Sequence, residues 1–238
     1  MTNQTPARPD SNPARYTRVA ILLHWSIAAL ILFNMGTGYF MEGWPMPIRS
    51  VALMLHASSG LTVLLLTVLR IVWRLLHEPP AHSSSLKPWE RHTAHVAHFL
   101  LYAAMVLMPI SGWAILSAHA PPGSSGAVAE WAAHPGPAPK AATMPAGMPG
   151  RPMGPPPPLK YWGVTVMPMI APIQAIGVEP EGVPALHELH EKFVDWHSVG
   201  SFLLLGLFLL HVAGALKHQI LDRQPSLERM GAGRRKIR

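Results

Sequence analysis

Four stretches of the chain stay apolar long enough to cross a bilayer: Val19 to Phe40, Val51 to Trp73, Ala94 to Leu116 and Trp196 to Leu216. A hydrocarbon core of about 30 Å takes about 20 helical residues, and only a helix or a closed barrel satisfies its own backbone there. The pattern therefore predicts an all-α membrane protein, a four-transmembrane-helix bundle. The connection Met41 to Ser50 is short and holds Pro45 and Pro47, so the first two spans should pair antiparallel. The segment from His77 to Arg91 is polar and includes Ser83, Ser84 and Ser85. Between spans three and four the character changes: Pro121 to Pro158 holds twelve of the 26 prolines and ends in a tetraproline. Such composition reads as a disordered or polyproline-like insert. Leu159 to Pro172 is apolar and aromatic but broken by Pro168 and Pro172, which suits a cap over the bundle end better than a fifth span. Ala185 to Asp195 is expected to form a short surface helix before the fourth span. Met108-Pro109 should bend the third.

Charge orients this bundle. The chain of 238 residues is 49% apolar and 13% charged, with a net charge of +7. Fourteen of the 19 basic residues lie in or beside the two tails and the middle connection, while seven of the 12 acidic residues lie on the other side. The positive-inside rule then places both termini in the cytoplasm and the Pro/Gly-rich insert in the periplasm. On this reading residues 1–18 are a cytoplasmic tail, 19–218 the four-helix domain with the insert at 118–158, and 219–238 a basic cytoplasmic tail. The cluster Arg234, Arg235, Lys236 reads as a lipid headgroup anchor, not a nucleic-acid site. The N-terminal tail leads into a span too long for a signal-peptide core, so it is read as a retained anchor. No cysteine is present, which excludes disulfides, thiolate metal sites, iron–sulfur clusters and covalent c-type haem.

Histidine is the remaining strong ligand, and its spacing is informative. His197 and His211 lie fourteen residues apart in the fourth span. Fourteen steps of about 100° leave them about 40° apart around the axis and roughly 21 Å apart along it. One metal cannot bridge that gap, so the spacing suits two separate haems near opposite membrane faces. His24 in the first span and His56 in the second are candidate partners, at the cytoplasmic and outer levels respectively. His95, His98 and Tyr102 form a stripe on the third span and could ligate in place of His24, although a polar network or quinone-pocket wall is the preferred reading. Iron held by two histidines has no open position, which favours electron transfer over oxygen binding.

Other residues align with these levels. Arg70 lies fourteen residues after His56 and could meet haem propionates or snorkel to the interface. Gly38, fourteen after His24, could let a macrocycle approach, and Gly60, Gly200 and Gly214 follow their histidines by three or four residues. Arg49, two turns outside His56, could steer a small anion. His218, two turns beyond His211, could serve a quinone or sit among headgroups. His119, His134, Met144, Met148 and Met153 could bind copper, but their irregular spacing favours a plain linker. His187 and His190 could hold a metal, but read better as a solvated face.

Taken jointly, these residues resemble the bacterial cytochrome b561 family of di-haem membrane cytochromes. The likeness runs through Arg15-Tyr16-Thr17-Arg18, Leu23-His24-Trp25, Arg49, Met54-Leu55-His56, Gly60 and Arg70. It continues through Ala94-His95-Val96-Ala97-His98, Tyr102, Pro109, Gly112, Trp162 to Pro168, Trp196-His197, His211 and His218. The resemblance implies that His24, His56, His197 and His211 are axial ligands of two haem b groups in a multi-pass protein of the bacterial inner membrane. It further implies exchange with the quinone pool, and, since one member acts as a superoxide oxidase, a superoxide:ubiquinone oxidoreductase in which Arg49 steers superoxide. The alternative is an electron-carrying membrane subunit serving a periplasmic dehydrogenase. The insert departs from the family's compact loop.

Overall fold

The computed structural model describes residues 15–77, 80, 87–133, 159–224 and 226–231. The Ser83–Ser85 run, His134, Met144, Met148, Met153, the tetraproline and Arg234 to Lys236 lie outside the described residues. Four long apolar helices dominate, as the hydrophobic pattern predicts: α1 (Arg18–Phe40), α2 (Ile48–Leu76), α3 (Pro88–Ser117) and α6 (Val183–Ile220). Each is long and apolar enough to cross a membrane, and little of any of them is buried inside the protein. Their outward faces carry large apolar side chains such as Phe99, Leu107, Phe202 and Leu203, which suits lipid and not water.

Helix boundaries follow from local chemistry. Thr17 caps α1 by accepting the Ala20 amide at 3.3 Å. At the start of α3, Pro88 occupies the first turn, and Glu90 reaches back to the Lys87 amide at 3.1 Å. The α3 helix runs unbroken through Pro109. The short surface helix expected before the fourth span is not separate: α6 is a single helix of 38 residues that begins at Val183. Nothing from Ala185 to Trp196 stops it, because no glycine or proline falls there.

Within the bundle α1 packs on α2, α2 on α3, and α3 along α6. A central apolar layer of Ile27, Ile31, Val63, Met105 and Leu204 fills the middle. Leu204 stands midway between His197 and His211, seven residues from each. Lipid removes most of the hydrophobic drive between helices, so polar cross-links matter, at about 0.6 kcal/mol each on average. Ser59 donates to Asn34 Oδ1 at 2.8 Å, Trp73 Nε1 to Thr17 Oγ1 at 2.9 Å, and Arg70 Nε to the Tyr102 hydroxyl at 3.0 Å.

The connection between α3 and α6 sits at the end of the bundle away from the chain termini, here termed the cap end. Its first part corrects the expectation of an unstructured insert: Ser125–Ala133 forms α4. Ala118, Ala120 and Ala127 pack there with Leu186 of α6 into a second buried cluster. Alanine side chains lose little entropy on burial, so even a proline-rich stretch can order where they meet a leucine. The expected cap is present as a two-stranded hairpin, β1 (Lys160–Tyr161) paired antiparallel with β2 (Thr165–Val166), followed by α5 (Ala171–Gln174). Its turn places both Trp162 and Gly163 at positive φ. That backbone is rare for a bulky residue, and Trp162 is anchored by its amide on Ser58 Oγ at 2.9 Å and its indole on Thr62 Oγ1 at 3.2 Å. At the opposite, tail end, α7 (Ser226–Arg229) folds back: Tyr16 donates its amide to Arg229, and Trp25 Nε1 to the Met230 carbonyl at 2.9 Å.

Candidate functional site

The four histidines converge as two pairs. His56 and His197 approach with ring centres 6.1 Å apart at the cap end, and His24 and His211 at 6.2 Å toward the tail end. Placing a metal about 2 Å from each ring nitrogen, with the ring centre about 1.1 Å further, gives a straight-across separation of roughly 6 Å. Both pairs are therefore spaced so that two imidazoles could hold one iron between them. His98 is not so placed, because its ring lies 5.2 Å from that of His211 at 84°, too close for opposite axial positions. Its Nδ1 faces the Ala94 carbonyl at 2.6 Å.

At the cap end the second ring nitrogen of each imidazole is occupied. Thr37 donates its hydroxyl to the Phe33 carbonyl at 3.0 Å, so its oxygen is left to accept from His56 Nδ1 at 3.0 Å. Ser111 donates to the Met108 carbonyl at 2.9 Å and accepts from His197 Nδ1 at 2.9 Å. A hydrogen on Nδ1, donated to the hydroxyl, would leave Nε2 as the lone-pair nitrogen on each ring, the tautomer an iron ligand needs. Neither Thr37 nor Ser111 was singled out from sequence. The available signal was a repeated hydroxyl–glycine dipeptide, Thr37-Gly38 and Ser111-Gly112, facing the histidine level from α1 and α3.

The glycines divide by role. A Cβ at Gly38 would meet His56 Cε1 at 3.2 Å, and one at Gly112 would meet His197 Cε1 at 3.1 Å. Gly38 thus makes room for the His56 imidazole at the level where a macrocycle is expected. Gly200 packs against Met108, whose sulfur an added Cβ would meet at 2.5 Å. At Gly60 and Gly214 a Cβ would meet nothing within 4 Å. Among the described residues α6 packs chiefly along α3 and meets α1 and α2, the helices whose histidines it faces, through fewer contacts such as those of Leu204 and the Tyr39–Ser201 pair. That spacing suits a flat group between them. Thr67 Oγ1, fully buried in α2, has no protein partner among the described residues.

The tail end is cationic and aromatic. Arg70 turns inward, donating through Nε to Tyr102 and through Nη1 to the Ala20 carbonyl at 3.2 Å, one turn from His24. Beside it a cleft of about 210 Å³ is lined by Arg15, Tyr16, Trp73, Arg74 and Tyr102. This placement suits an anionic edge of a cofactor better than a side chain snorkelling to the interface. His218 lies further along α6, with Nδ1 at 2.7 Å from Asp222 Oδ2. Lys217 bridges Asp222 and Glu90 at 2.8 and 2.7 Å. The Lys217 and His218 contacts hold the Asp222 carboxyl below its usual range. Arg49 stands exposed in the first turn of α2.

The family profile described as prokaryotic cytochrome b561 matches residues 15–233, which takes in all four long helices and both histidine pairs. The chain belongs to the prokaryotic cytochrome b561 family. The family name implies haem b, and the four helices long and apolar enough to cross a membrane suit a multi-pass membrane protein. It is 30% identical over 119 residues to "Cytochrome b561 homolog 2" of Escherichia coli (strain K12), a match covering 47% of this chain and 61% of that protein. It is 37% identical over 103 residues to "Cytochrome b562" of Cereibacter sphaeroides, covering 41% and 63%. It is also 28% identical over 102 residues to "Probable superoxide oxidase CybB" of Yersinia pestis, covering 43% and 58%. The chain thus spans about six-tenths of the length of these relatives.

Proposed function

We propose that this cytochrome b561 holds two haem b groups, one on His56 and His197 and one on His24 and His211, and carries electrons from superoxide on one side of the membrane to ubiquinone. The observation that supports this most is the pair of matched imidazole separations, 6.1 and 6.2 Å, set two levels apart on one helix. Haem b held by two histidines supplies one-electron carriage with no open coordination position. The name borne by the Yersinia pestis relative favours superoxide as donor. Oxidation of two superoxide anions to dioxygen releases two electrons, and these with two protons convert one quinone to quinol.

The protein's own residues have separable parts in this reading. Thr37 and Ser111 orient the cap-end imidazoles. Arg49, exposed at the same end, draws in the small anion. Arg70 receives haem propionates at the tail end, and His218 or its Asp222 partner serves the quinone. The excess of basic residues near the tail end orients that end toward the cytoplasm, with the insert in the periplasm and the protein in the inner membrane. The ordered α4 and hairpin over the cap end support a second reading, in which a periplasmic dehydrogenase docks there and donates the electrons.

Purified protein tests the first reading by superoxide-dependent quinone reduction. Arg49→Glu should lower that rate at least tenfold with unchanged haem content. His56→Ala and His24→Ala should each remove one of two haem equivalents. Full superoxide activity in Arg49→Glu would remove the steering role. Absence of superoxide activity in intact di-haem protein would select the dehydrogenase reading.

A further inference from the structure

Outside the two axial pairs, a third imidazole pair forms on the cap. His119, just beyond α3, and His190, in the second turn of α6, lie with ring centres 5.0 Å apart and planes at 55°. With a metal about 2 Å from each nitrogen, that separation subtends about 105°, near the tetrahedral value and far from the straight-across geometry of the axial pairs. The two rings are also dressed for ligation. His119 Nδ1 lies 2.8 Å from Glu130 Oε1, and His190 Nδ1 lies 3.2 Å from Glu191 Oε1. A carboxylate on Nδ1 fixes the tautomer that leaves Nε2 as the donor, the arrangement metal-binding histidines commonly have.

The frame around the pair is built and not incidental. Glu130 is held at both oxygens, since its Oε2 also accepts the Ala120 amide at 2.9 Å. The α4 helix that carries it is docked by the Gly126 amide on the Val178 carbonyl at 2.9 Å. Any side chain at Gly126 would overlap the Gly177 carbonyl, with a Cβ only 1.9 Å from its oxygen. Ala118, Ala120 and Ala127 lock this segment to Leu186, one turn before His190. Both histidines remain reachable from water, His119 with 53% of its side chain exposed and His190 with 23%. His187 stacks parallel to His190 with ring centres 6.3 Å apart, beyond the 5.0 Å of the His119–His190 pair. Among the described residues no three such donors gather around one point.

We propose that His119 and His190 form a two-histidine site for a divalent transition metal of the imidazole-preferring class, zinc or copper, with its other positions taken by water or a small anion. Glu130 is a positioning residue. The site caps a heptad series on α6: His190, His197, Leu204, His211 and His218 follow one stripe. The metal therefore sits roughly 10 Å along the helix outside the cap-end axial pair. The proposal does not depend on superoxide as donor.

Titration of the full-length, haem-loaded protein with Zn²⁺ by calorimetry, and with Cu²⁺ by electron paramagnetic resonance, tests it. We expect one equivalent bound, with two nitrogens coupled to the copper. His119→Ala and His190→Ala should each weaken binding at least tenfold, and Glu130→Gln by about 10–100-fold. His187→Ala and His134→Ala should leave binding unchanged. Haem spectra and helical circular dichroism serve as controls that the variants fold. Absence of binding to folded protein, binding unchanged in His119→Ala and His190→Ala, or binding lost in His134→Ala would overturn the proposal.

Discussion

Ser111→Ala tests the cap-end geometry most directly. The Ser111 hydroxyl has one hydrogen and lies 2.9 Å from the Met108 carbonyl; with that hydrogen donated there, the contact with His197 Nδ1 at 2.9 Å is an imidazole N–H donating to it. Alanine removes that acceptor without adding bulk and leaves a half-buried N–H unpaired. Stranding such a group costs about 1–3 kcal/mol, and loss of an orienting partner typically weakens metal binding about 10–100-fold, which is the same range in other units. The electronic sign is also fixed. An imidazole that donates through Nδ1 is a stronger base at Nε2 and favours ferric over ferrous iron, so losing the acceptor raises the potential of the cap-end haem. A tenfold change in that preference is about 59 mV for one electron. Potentiometric titration of Ser111→Ala should show one of two components rising by up to about that amount, with the other unmoved because its ligands lie roughly 21 Å away along α6. Ser111→Thr should restore it. If both components stay fixed, or only the tail-end component moves, the hydroxyl–imidazole contact has no part in tuning the iron.

Three further outcomes follow from the packing and charge. Gly112→Val should displace the His197 ring, since even a Cβ would come within 3.1 Å of Cε1; loss of the cap-end spectral component with the tail-end one retained is the expected result. Gly126→Val should undock α4 from the Gly177 carbonyl and expose the 125–133 segment to limited proteolysis while all four long helices stay protected. The third concerns acid. Asp222 has its carboxyl lowered by Lys217 and His218, so its contribution is present above the ordinary carboxylate range and is lost only as pH falls through the depressed value. Hydrogen exchange at the Leu221 and Asp222 amides, both bonded to the Lys217 carbonyl, should accelerate only in that acid range, and at higher pH in Lys217→Met.

The long helices and the histidine pairing were readable from sequence because a bilayer imposes length and apolarity, and helical pitch converts spacing into facing. Spacing alone left His24 and His98 both able to face His211, a choice made only by the family resemblance; the separations of 6.2 and 5.2 Å favour His24 as the partner across a shared metal. Thr37 and Ser111 escaped notice for a related reason: a hydroxyl in a membrane helix usually bonds its own backbone, and its second contact depends on which helix stands opposite. The ordering of α4 was hidden by composition. Proline and glycine dominate the stretch as a whole, but Ser125–Ala133 contains neither proline nor more than one glycine, and its alanines find Leu186 only in three dimensions. The continuity of α6 from Val183 was obscured by a shift from polar to apolar residues that marks a change of environment, not a break in the helix.

The two ends of the bundle differ in a way that bears on the direction of electron flow. At the cap end both imidazoles contact hydroxyl oxygens through Nδ1, and N–H groups donated there would lower the potential of an iron held by the pair. At the tail end a guanidinium, Arg70, is fixed one turn from His24 by its bonds to Ala20 and Tyr102, and a nearby cation stabilises the reduced state and raises the potential. Both effects slope the same way, downhill from cap to tail, as the proposed transfer from a periplasmic donor to a cytoplasmic-side quinone requires. Potentiometry of His56→Ala, which retains only the tail-end haem, should therefore show the higher of the two wild-type potentials. Arg70→Gln should lower that component and narrow the gap. If the haem retained in His56→Ala has the lower potential, the slope runs the other way and the proposed direction of transfer fails on this chain's own electrostatics.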